Sequence, residues 1–308
     1  MKKSILVAID GSVYSTSSLD YLRTIFGPCP EMHIHLFSVV PCTSAGQEWM
    51  CDVDPLREHT PQTEKKTRLA RRNLKEAKAH LVRNGFSEDN VDSSVTMAAT
   101  TISSAIHHEA NRGNYDALLL GRRGIGAVGT MLFGSTSGEL LGKCHETPLW
   151  IIDGEVSSNR FLLAVQSRPE SLMAADHLAY ILHDQPAVEI CLYHSRSLFG
   201  SQDPAPSEHF HDQWGKEWCD QYLDQENYLF YAHAQVLKDH GIDPSRIRQL
   251  PAQMHLDAGF DLLKQAKKHD CGTVVIGRRG RSAEKGLFKG VSDRTMQQAQ
   301  DAAIWLVG

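Results

Sequence analysis

Two glycine-rich segments with the same internal spacing constrain the fold more than any other feature of the sequence. The first, GRRGIGAVGTMLFGSTSG, spans residues 121–138, and the second, GRRGRSAEKGLFKGVS, spans 277–292. In each segment a glycine is followed by two residues, a second glycine, nine residues and a third glycine, and the two copies lie 156 residues apart. A spacing that recurs after about half of the 308 residues predicts two copies of one structural unit.

The first glycine-rich segment has the features of a phosphate-binding loop. It follows a short apolar run, residues 117–120, which predicts a strand, then the loop, then a helix. Gly121, Gly124 and Gly134 allow the main chain to approach a ligand closely and to adopt positive φ. Ser135 and Thr136 cap the helix, whose first amide groups and dipole favour an anion. This combination predicts a cradle for phosphate groups.

Predicted strands and helices alternate in the same order in both halves of the chain. Apolar runs predict strands at 5–9, 32–40, 91–99, 117–120 and 148–153, and again at 161–165, 188–194, 247–251, 273–276 and 303–307. Fully apolar strands separated by helices imply a parallel sheet that is covered on both faces. The expected fold class is α/β, with two tandem doubly wound five-stranded parallel-sheet domains. Their expected bounds are 1–154 and 160–308, joined by a short polar linker.

One long helix is expected between residues 207 and 241 of the second half. Aromatic residues recur at helical spacing between Trp214 and Leu237, which is typical of a face that packs on a core. The preceding residues, His209 to Asp212, are expected in a loop. His33 and His35 share one face of a strand, but four converging zinc ligands cannot be assembled from the sequence. We therefore expect solvated or core histidines and no metal site.

Composition and charge argue against several classes of protein. With 41% hydrophobic and 22% charged residues the chain is expected to be globular, and a net charge of −5 without a basic stripe carrying interleaved aromatic residues argues against nucleic acid binding. No apolar segment reaches the length of a membrane span, and the apolar run near Met1 is too short for a signal peptide. Seven scattered cysteines without CxxC pairs favour reduced thiols and a cytoplasmic location.

These patterns together resemble the universal stress protein family. The resemblance rests on three features: five α/β units in each half, Asp10 at the end of the first strand, and the motif G-x2-G-x9-G-[ST] after the fourth strand. The resemblance covers both halves, so the chain is similar to a tandem universal stress protein, a nucleotide-binding stress-response or regulatory module. It implies domains of the adenine nucleotide alpha-hydrolase type, with ATP at the carboxyl ends of the strands. It also implies that the final strands, with Trp150 and Trp305, pair in an intramolecular pseudo-dimer; a further homodimer is left open.

The resemblance, carried over residue by residue, places the ATP site in the first half. Asp10 is expected to hold the adenine–ribose end, although it could instead cap a helix. The resemblance also implies that Val39 or its neighbour Val40 lines the base pocket and that Leu120 and Gly121 border the ribose. The residues expected around the phosphates are Gly124, Gly134, Ser135 and Thr136. An ordinary N-cap role for Ser135 is compatible with phosphate binding by neighbouring amides.

Catalysis is not expected. No G-x-x-x-x-G-K-[ST] motif is present, no residue is identified as a water-positioning base, and the loop arginines Arg122 and Arg123 are more often only solvated. Gly124, Gly126 and Gly129 spell G-x-G-x-x-G, but this fingerprint belongs in the first βα turn, so a nicotinamide enzyme is not expected. Cys144-His145 lacks a third partner for nucleophilic catalysis. A slow ATPase or self-phosphorylating protein remains the enzymatic alternative.

The corresponding site in the second half departs from the pattern. Asp10 is replaced by Gln166, Ser12 by Arg168, and Ser135 by Val291. Losing a negative group and a hydroxyl is expected to weaken nucleotide binding, since each charge-assisted hydrogen bond is worth roughly 1.5–3 kcal/mol. This half is expected to hold a degenerate nucleotide site, a site for another ligand, or a structural partner. A scaffold that binds a non-nucleotide ligand or a protein partner is the remaining alternative.

Overall fold

The computed structural model describes residues 2–27, 29, 31–41, 61–98, 101–122, 135–144, 146–197, 205–223, 227, 229–278 and 290–308. The chain divides into two compact units, residues 1–155 and 156–308. Within the described ranges, no helix is both long and apolar enough to cross a membrane.

The N-terminal unit alternates strands and helices from its first element to its last. In chain order these are β1 (Lys3–Ala8), α1 (Val13–Phe26), β2 (Met32–Pro41), α2 (Pro61–Arg83), β3 (Val91–Ala98), α3 (Ile102–Arg112), β4 (Ala117–Gly121), α4 (Ser135–Lys143) and β5 (Leu149–Asp153). The strands are all parallel and follow the order β3-β2-β1-β4-β5. The chain therefore reverses direction across the sheet between β1 and β4, which is the switch point of a doubly wound fold.

The strands of this unit are apolar because helices cover both faces of the sheet. Residues 117–120 and 149–153 are buried throughout. On one face, α1 packs on β4 and β5, and the Phe26 ring stacks on Trp150 with a centroid separation of 6.0 Å. Burying such a pair contributes several kcal/mol through the hydrophobic effect. The expected fold class is confirmed by this sheet and its counterpart in the second unit.

The C-terminal unit repeats this architecture with additions. Its elements are β6 (Arg160–Ala164), α5 (Pro169–Leu182), β7 (Glu189–Tyr193), β8 (Ser195–Ser197), α6 (Glu208–Trp214), α7 (Lys216–Tyr222), α8 (Phe230–Asp239), β9 (Ile247–Gln249), β10 (Gln253–His255), α9 (Ala258–Lys268), β11 (Thr273–Gly277), α10 (Val291–Gln298) and β12 (Ala302–Val307). The main sheet has the parallel order β12-β11-β6-β7-β9. β8 and β10 form a separate parallel pair.

The prediction of a single long helix in the second half is wrong. The described residues of this stretch form three short helices instead, α6, α7 and α8. Gly215 ends α6 with φ of +76°, a conformation that glycine adopts without strain, and Leu229 has φ of +65° directly before α8. His209 to Asp212 lie within the seven-residue helix α6 rather than in a loop. Phe210, between the two histidines, is buried, and this contact holds the short helix on the core. The expected strand 247–251 is shorter, and β10 follows it.

A histidine–aspartate pair joins corresponding helices in both units. His80 Nε2 of α2 lies 2.9 Å from Asp20 Oδ1 of α1, and His240 Nε2 lies 2.8 Å from Asp176 Oδ1 of α5. The aspartates are 156 residues apart, whereas the histidines are 160 apart. A difference of four residues is about one helical turn, and His240 is the C-cap residue directly after α8, so the second histidine reaches its partner from the end of the helix. The contact is thus kept although the exact position of the histidine is not.

Candidate functional site

The carboxyl edge of the N-terminal sheet brings together the exits of β1, β2 and β4. Asp10 lies two residues after β1, next to the switch point, and its side chain is exposed. Its Oδ1 accepts a hydrogen bond from the Ser12 amide at 2.9 Å, which forms an Asx turn. The N-cap of α1 is Ser12 rather than Asp10. Asp10 therefore shapes the turn and still presents a carboxylate at the edge where open parallel sheets bind ligands.

Val39 and Val40 lie on opposite faces of β2, and only one of them can line an open pocket. Val40 is 3% exposed and belongs to the core, whereas Val39 is half-buried. Successive strand residues point to opposite sides, so the two valines cannot exchange roles. Of the two residues considered from the sequence, Val39 is the one whose side chain has accessible surface at the carboxyl end of the strand.

Gly121 is required by packing, independently of any ligand. A Cβ at this position would collide with the carbonyl oxygen of Tyr14 in the first turn of α1. The same crossing recurs in the second unit, where a Cβ on Gly277 would collide with the Glu170 carbonyl oxygen at the start of α5. The helix after the first strand therefore crosses directly over the glycine that ends the fourth strand. Leu120 beside it is 4% exposed, so its side chain is in the core.

The start of α4 is the part of the expected phosphate site that the structure describes. The helix begins at Ser135, and Thr136 in its first turn is half-buried. Gly124 and Gly134, which complete the expected cradle, lie outside the described residues. α3 packs against α4, where the Ser103 hydroxyl donates to the Glu139 carboxylate. This contact ties the helix that would present the phosphate-facing amides to the body of the unit.

Arg122 is buried and paired, which corrects the expectation of a solvated loop arginine. Its side chain is 4% exposed, and Nη1 lies 3.6 Å from Asp153 Oδ2 at the end of β5. Its amide donates to the Ile152 carbonyl at 2.7 Å, so the residue continues the pairing of β4 with β5. Burying a guanidinium is costly unless an anion compensates its charge, and Asp153 supplies that anion. Arg123 lies outside the described residues.

In the second unit, polypeptide covers the exit of β6, the counterpart of the Asp10 turn. The Ala205 amide donates to the Ser167 carbonyl at 2.9 Å, and Ala205 itself is 6% exposed. The Gln166 amide donates to Ser171 Oγ at 2.9 Å, and Ser171 Oγ also lies 2.8 Å from His233 Nε2. Phe210 on the adjoining α6 is fully buried. The edge that is accessible at Asp10 is therefore filled in this unit by its own chain.

A buried polar network lies beside this exit, and sequence reasoning did not find it. Asp261 on α9 is fully buried and accepts from the Tyr193 hydroxyl at 2.6 Å, while His255 Nε2 lies 2.8 Å from its other oxygen. Burial, assisted by the Asp261 carboxylate, raises the pKa of Tyr193. The residues 156 positions earlier than Tyr193 and Asp261 are Phe37 and Ala105. No local motif joins three residues so far apart, so only the fold reveals them.

The histidines and the cysteine considered for metal or nucleophile roles have structural partners. His33 Nε2 lies 3.0 Å from Asp92 Oδ2 and His35 Nε2 lies 2.7 Å from Ser94 Oγ, both across the β2–β3 pairing. Cys144 is fully buried, and its thiol donates to the Thr147 carbonyl at 3.6 Å, while His145 lies outside the described residues. Within the described part of the chain, no three His, Cys, Asp or Glu residues form a group that could hold a metal ion.

Comparison with known proteins identifies the family of the first half and supports the fold of both. Residues 1–152 match the sequence model of the universal stress protein family. A universal stress protein from Archaeoglobus fulgidus DSM 4304 superposes with a TM-score of 0.67 at 14% identity, covering 99% of this chain and 97% of that one. A functionally unknown protein from Pseudomonas aeruginosa PAO1 superposes with a TM-score of 0.54 at 13% identity, covering 99% and 92%. No curated protein matches the chain. At such identities the structural likeness establishes the fold alone.

Proposed function

Because the chain belongs, through its residues 1–152, to the universal stress protein family, we propose that its N-terminal unit binds an adenine nucleotide, ATP, as a stress-response or regulatory module. One observation carries the proposal. At the switch point between β1 and β4, the Asp10 carboxylate is exposed and Val39 keeps accessible surface at the neighbouring strand end. An apolar surface beside an exposed acceptor, at this edge of an open parallel sheet, suits a nucleoside.

Each residue of the proposed site is assigned to one part of the nucleotide. Asp10 accepts hydrogen bonds from the adenine–ribose end, since its side chain is exposed at the strand exit. Val39 packs on the base. Leu120 and Gly121 border the ribose through main-chain atoms, since the Leu120 side chain is in the core and α1 covers the Cβ side of Gly121. Ser135 and Thr136, with Gly124 and Gly134, receive the phosphates at the start of α4.

The proposed role is binding with little or no hydrolysis. Phosphoryl transfer requires placed cations and an oriented nucleophile. Arg122, one of the two arginines next to the proposed site, is buried against Asp153, so its charge is already compensated within the protein. The rival enzymatic hypothesis, a slow ATPase or self-phosphorylating protein, predicts release of phosphate or labelling of the purified chain by ATP. The binding hypothesis predicts that the wild type gives no more phosphate release and no more labelling than the Asp10→Ala variant.

Calorimetric titration of ATP into the full-length protein tests the proposal. Asp10→Asn keeps an oxygen that can accept from the Ser12 amide but removes the charge, so we expect ATP affinity to fall about tenfold with the fold unchanged. Asp10→Ala removes both and should weaken binding further. Gln166→Ala, the corresponding position of the second unit, is the matched control and should leave affinity unchanged. Equal affinity in wild type and Asp10→Asn would contradict the assignment of this carboxylate, and no measurable ATP binding by the wild type would contradict the function.

The second unit supports a different role from the first. Its network of Tyr193, His255 and Asp261 stands where the first unit has apolar residues, and Ala205 covers the strand exit next to Gln166. We therefore assign the second unit no nucleotide. A structural or ligand-binding role of another kind is the candidate that these observations favour for it.

A further inference from the structure

Helix α2 carries a concentration of positive charge that is at odds with the rest of the chain. Its lysines and arginines are Lys65, Lys66, Arg68, Arg71, Arg72, Lys75, Lys78 and Arg83, against the two carboxylates Glu64 and Glu76. The helix thus has a net charge of +6, whereas the whole chain has −5, which leaves −11 for all other residues. Seven of the eight cations are already close together in the sequence, within residues 65–78, and the helix decides which of them share a face.

The helix turns these cations toward solvent. It buries Ala70, Leu74, Ala77 and Leu81, at intervals of three and four residues, against the sheet. The opposite side, here called the α2 basic face, exposes Lys65, Arg68, Arg71, Arg72, Lys75 and Arg83. Arg72 is paired with Glu76 at 2.8 Å, but Arg68, Arg71 and Lys75 make no ion pair with any described residue. A helix of 23 residues is about 34 Å long, so this face is extended.

The second unit has an exposed surface of the opposite character. Helices α6 and α7 expose the carboxylates of Glu208, Asp212, Glu217 and Asp220 against a single cation, Lys216. No ion pair within the described residues engages these four carboxylates. We call this the α6–α7 acidic face.

A row of aromatic rings runs along the flank of this acidic face. Trp214, Trp218 and Tyr222 are only half-buried, with ring centroids separated by 6.3 Å and then 5.1 Å. The row continues at 5.6 Å to Tyr231, which is 49% exposed. Half-exposed Trp and Tyr rings beside carboxylates that form no ion pair with a described residue offer both apolar area and charge to a second molecule.

We propose that the α2 basic face of one copy of this chain docks on the α6–α7 acidic face of a second copy. Arginines form ion pairs with carboxylates and also stack on Trp and Tyr rings, so one set of arginines satisfies both features of the acidic face. Arg, Trp and Tyr are the residue types enriched at protein–protein contacts. Each copy carries both faces, so every copy offers one surface of each kind to a neighbouring copy.

A second copy suits the α2 basic face better than a nucleic acid does. The remaining net charge of −11 would repel a polyanion outside the helix itself, and α2 exposes no aromatic ring on which a base could stack. The acidic face, in contrast, offers a small number of carboxylates that a helix face can match. This inference does not depend on nucleotide binding, since none of its residues belongs to the proposed ATP site.

Sedimentation equilibrium of the full-length protein, at low and high salt, tests this contact. We expect a concentration-dependent mass that increases at low ionic strength, because the contact is largely ionic. Arg68→Glu/Lys75→Glu should weaken association at least about tenfold, and Asp212→Lys/Glu217→Lys should do the same, since like charges then face each other. These four residues are exposed, so their replacement leaves the core untouched, which circular dichroism checks. Mixing the two double variants should restore association, because each supplies the face that complements the other.

The matched control changes the same charge elsewhere. Lys264→Glu/Lys268→Glu on α9 converts two exposed lysines and should leave association as in the wild type. A wild-type protein that remains monomeric at low salt would overturn the proposal, as would double variants that fail to associate when mixed. Binding of duplex DNA or anionic vesicles that depends on Arg68 and Lys75, without a change in the mass of the protein, would assign the α2 basic face to a polyanion instead.

Discussion

At the scale of single residues, the repeated glycine motif serves packing before it serves any ligand. Gly121 and Gly277 end equivalent strands, and a side chain on either would collide with the first turn of the helix that crosses it, α1 for Gly121 and α5 for Gly277. Gly290, at the other end of the second motif, differs. It has φ of −62°, and among the described residues a Cβ there would meet only Ser292 Oγ, at 3.8 Å. The motif therefore combines a position that the fold requires with one that the described residues do not crowd.

These two positions give a paired prediction. Gly121→Ala should destabilise the protein by about 1–3 kcal/mol, because α1 must shift away from β4. Gly290→Ala should change stability by less than about 0.5 kcal/mol, because no described atom lies closer than 3.8 Å to the added Cβ and φ is ordinary for alanine. Denaturant unfolding of the full-length variants measures both. Equal losses would mean that the glycine at 121 is not held by its contact with α1.

The contact between Gly121 and α1 decides which substitutions can probe the proposed site. Reduced ATP binding in Gly121→Ala would not identify a ligand contact, because a displaced α1 also moves Asp10 at its start. Asp10→Asn avoids this difficulty, since asparagine can keep the Asx turn. Residues whose structural role is small are thus the better probes of binding.

At the scale of elements, a buried histidine attaches α8 to α5. His233 is fully buried, its Nδ1 lies 2.8 Å from the Leu229 carbonyl, and its Nε2 lies 2.8 Å from Ser171 Oγ. The carbonyl can only accept, so the network assigns the proton to Nδ1, while Nε2 contacts the Ser171 hydroxyl, which also donates to the Ala164 carbonyl at 3.0 Å. The position 156 residues earlier is Ala77 on α2, which is too small to make such a contact.

The buried histidine predicts a loss of stability in mild acid. Burial lowers the pKa of His233 from 6.5 to about 4. Between these two pH values the unfolded chain binds a proton at this histidine that the folded chain does not bind. The contribution of His233 to the free energy of unfolding is therefore fully present above pH 6.5 and declines as the pH falls toward 4, by on the order of 3 kcal/mol at most. Measured between these pH values, the fall in unfolding free energy should be smaller in His233→Gln. Exposed His108→Gln serves as control, and a slope unchanged in His233→Gln would refute the assignment.

At the scale of the whole molecule, one architecture is used twice with different contents. Asp10 in the first unit is an exposed carboxylate at a strand exit. The corresponding exit in the second unit is bridged by the hydrogen bond from Ala205 to Ser167, next to the buried Phe210. The network around Asp261 further separates the chemistry of the second unit from that of the first. The two units therefore share the architecture of the sheet more closely than the contents of this strand exit.

This difference predicts one equivalent of ATP per chain. The triple variant Gln166→Asp, Arg168→Ser, Val291→Ser should still bind only one, because the covering segment at Ala205 remains after the side chains are restored. Calorimetric stoichiometry, with circular dichroism to verify the fold, decides the matter. A second equivalent in the triple variant would mean that side chains alone disable the second unit. Two equal sites in the wild type would contradict the asymmetry altogether.

The fold class and the family were already determined by the sequence, because both depend on periodic and local patterns. Apolar runs at 156-residue intervals specified the parallel sheets and their helices, and the G-x2-G-x9-G-[ST] motif with Asp10 indicated the universal stress protein family, now identified over residues 1–152. The proposed nucleotide contacts remain predictions. Among them, the structure separates Val39 from Val40 by burial, a distinction that depends on which strand face the helices cover.

The remaining features required the tertiary structure, because they join residues that no local pattern connects. Arg122 contacts Asp153 only when β4 lies beside β5, and Tyr193, His255 and Asp261 meet only when α9 packs against β6 and β8. The single helix expected from residue 207 to 241 fails because Gly215 and Leu229 adopt positive φ, and hydrophobic periodicity does not register such backbone breaks. Local patterns encode which elements form, whereas long-range packing decides which side chains meet and which remain exposed.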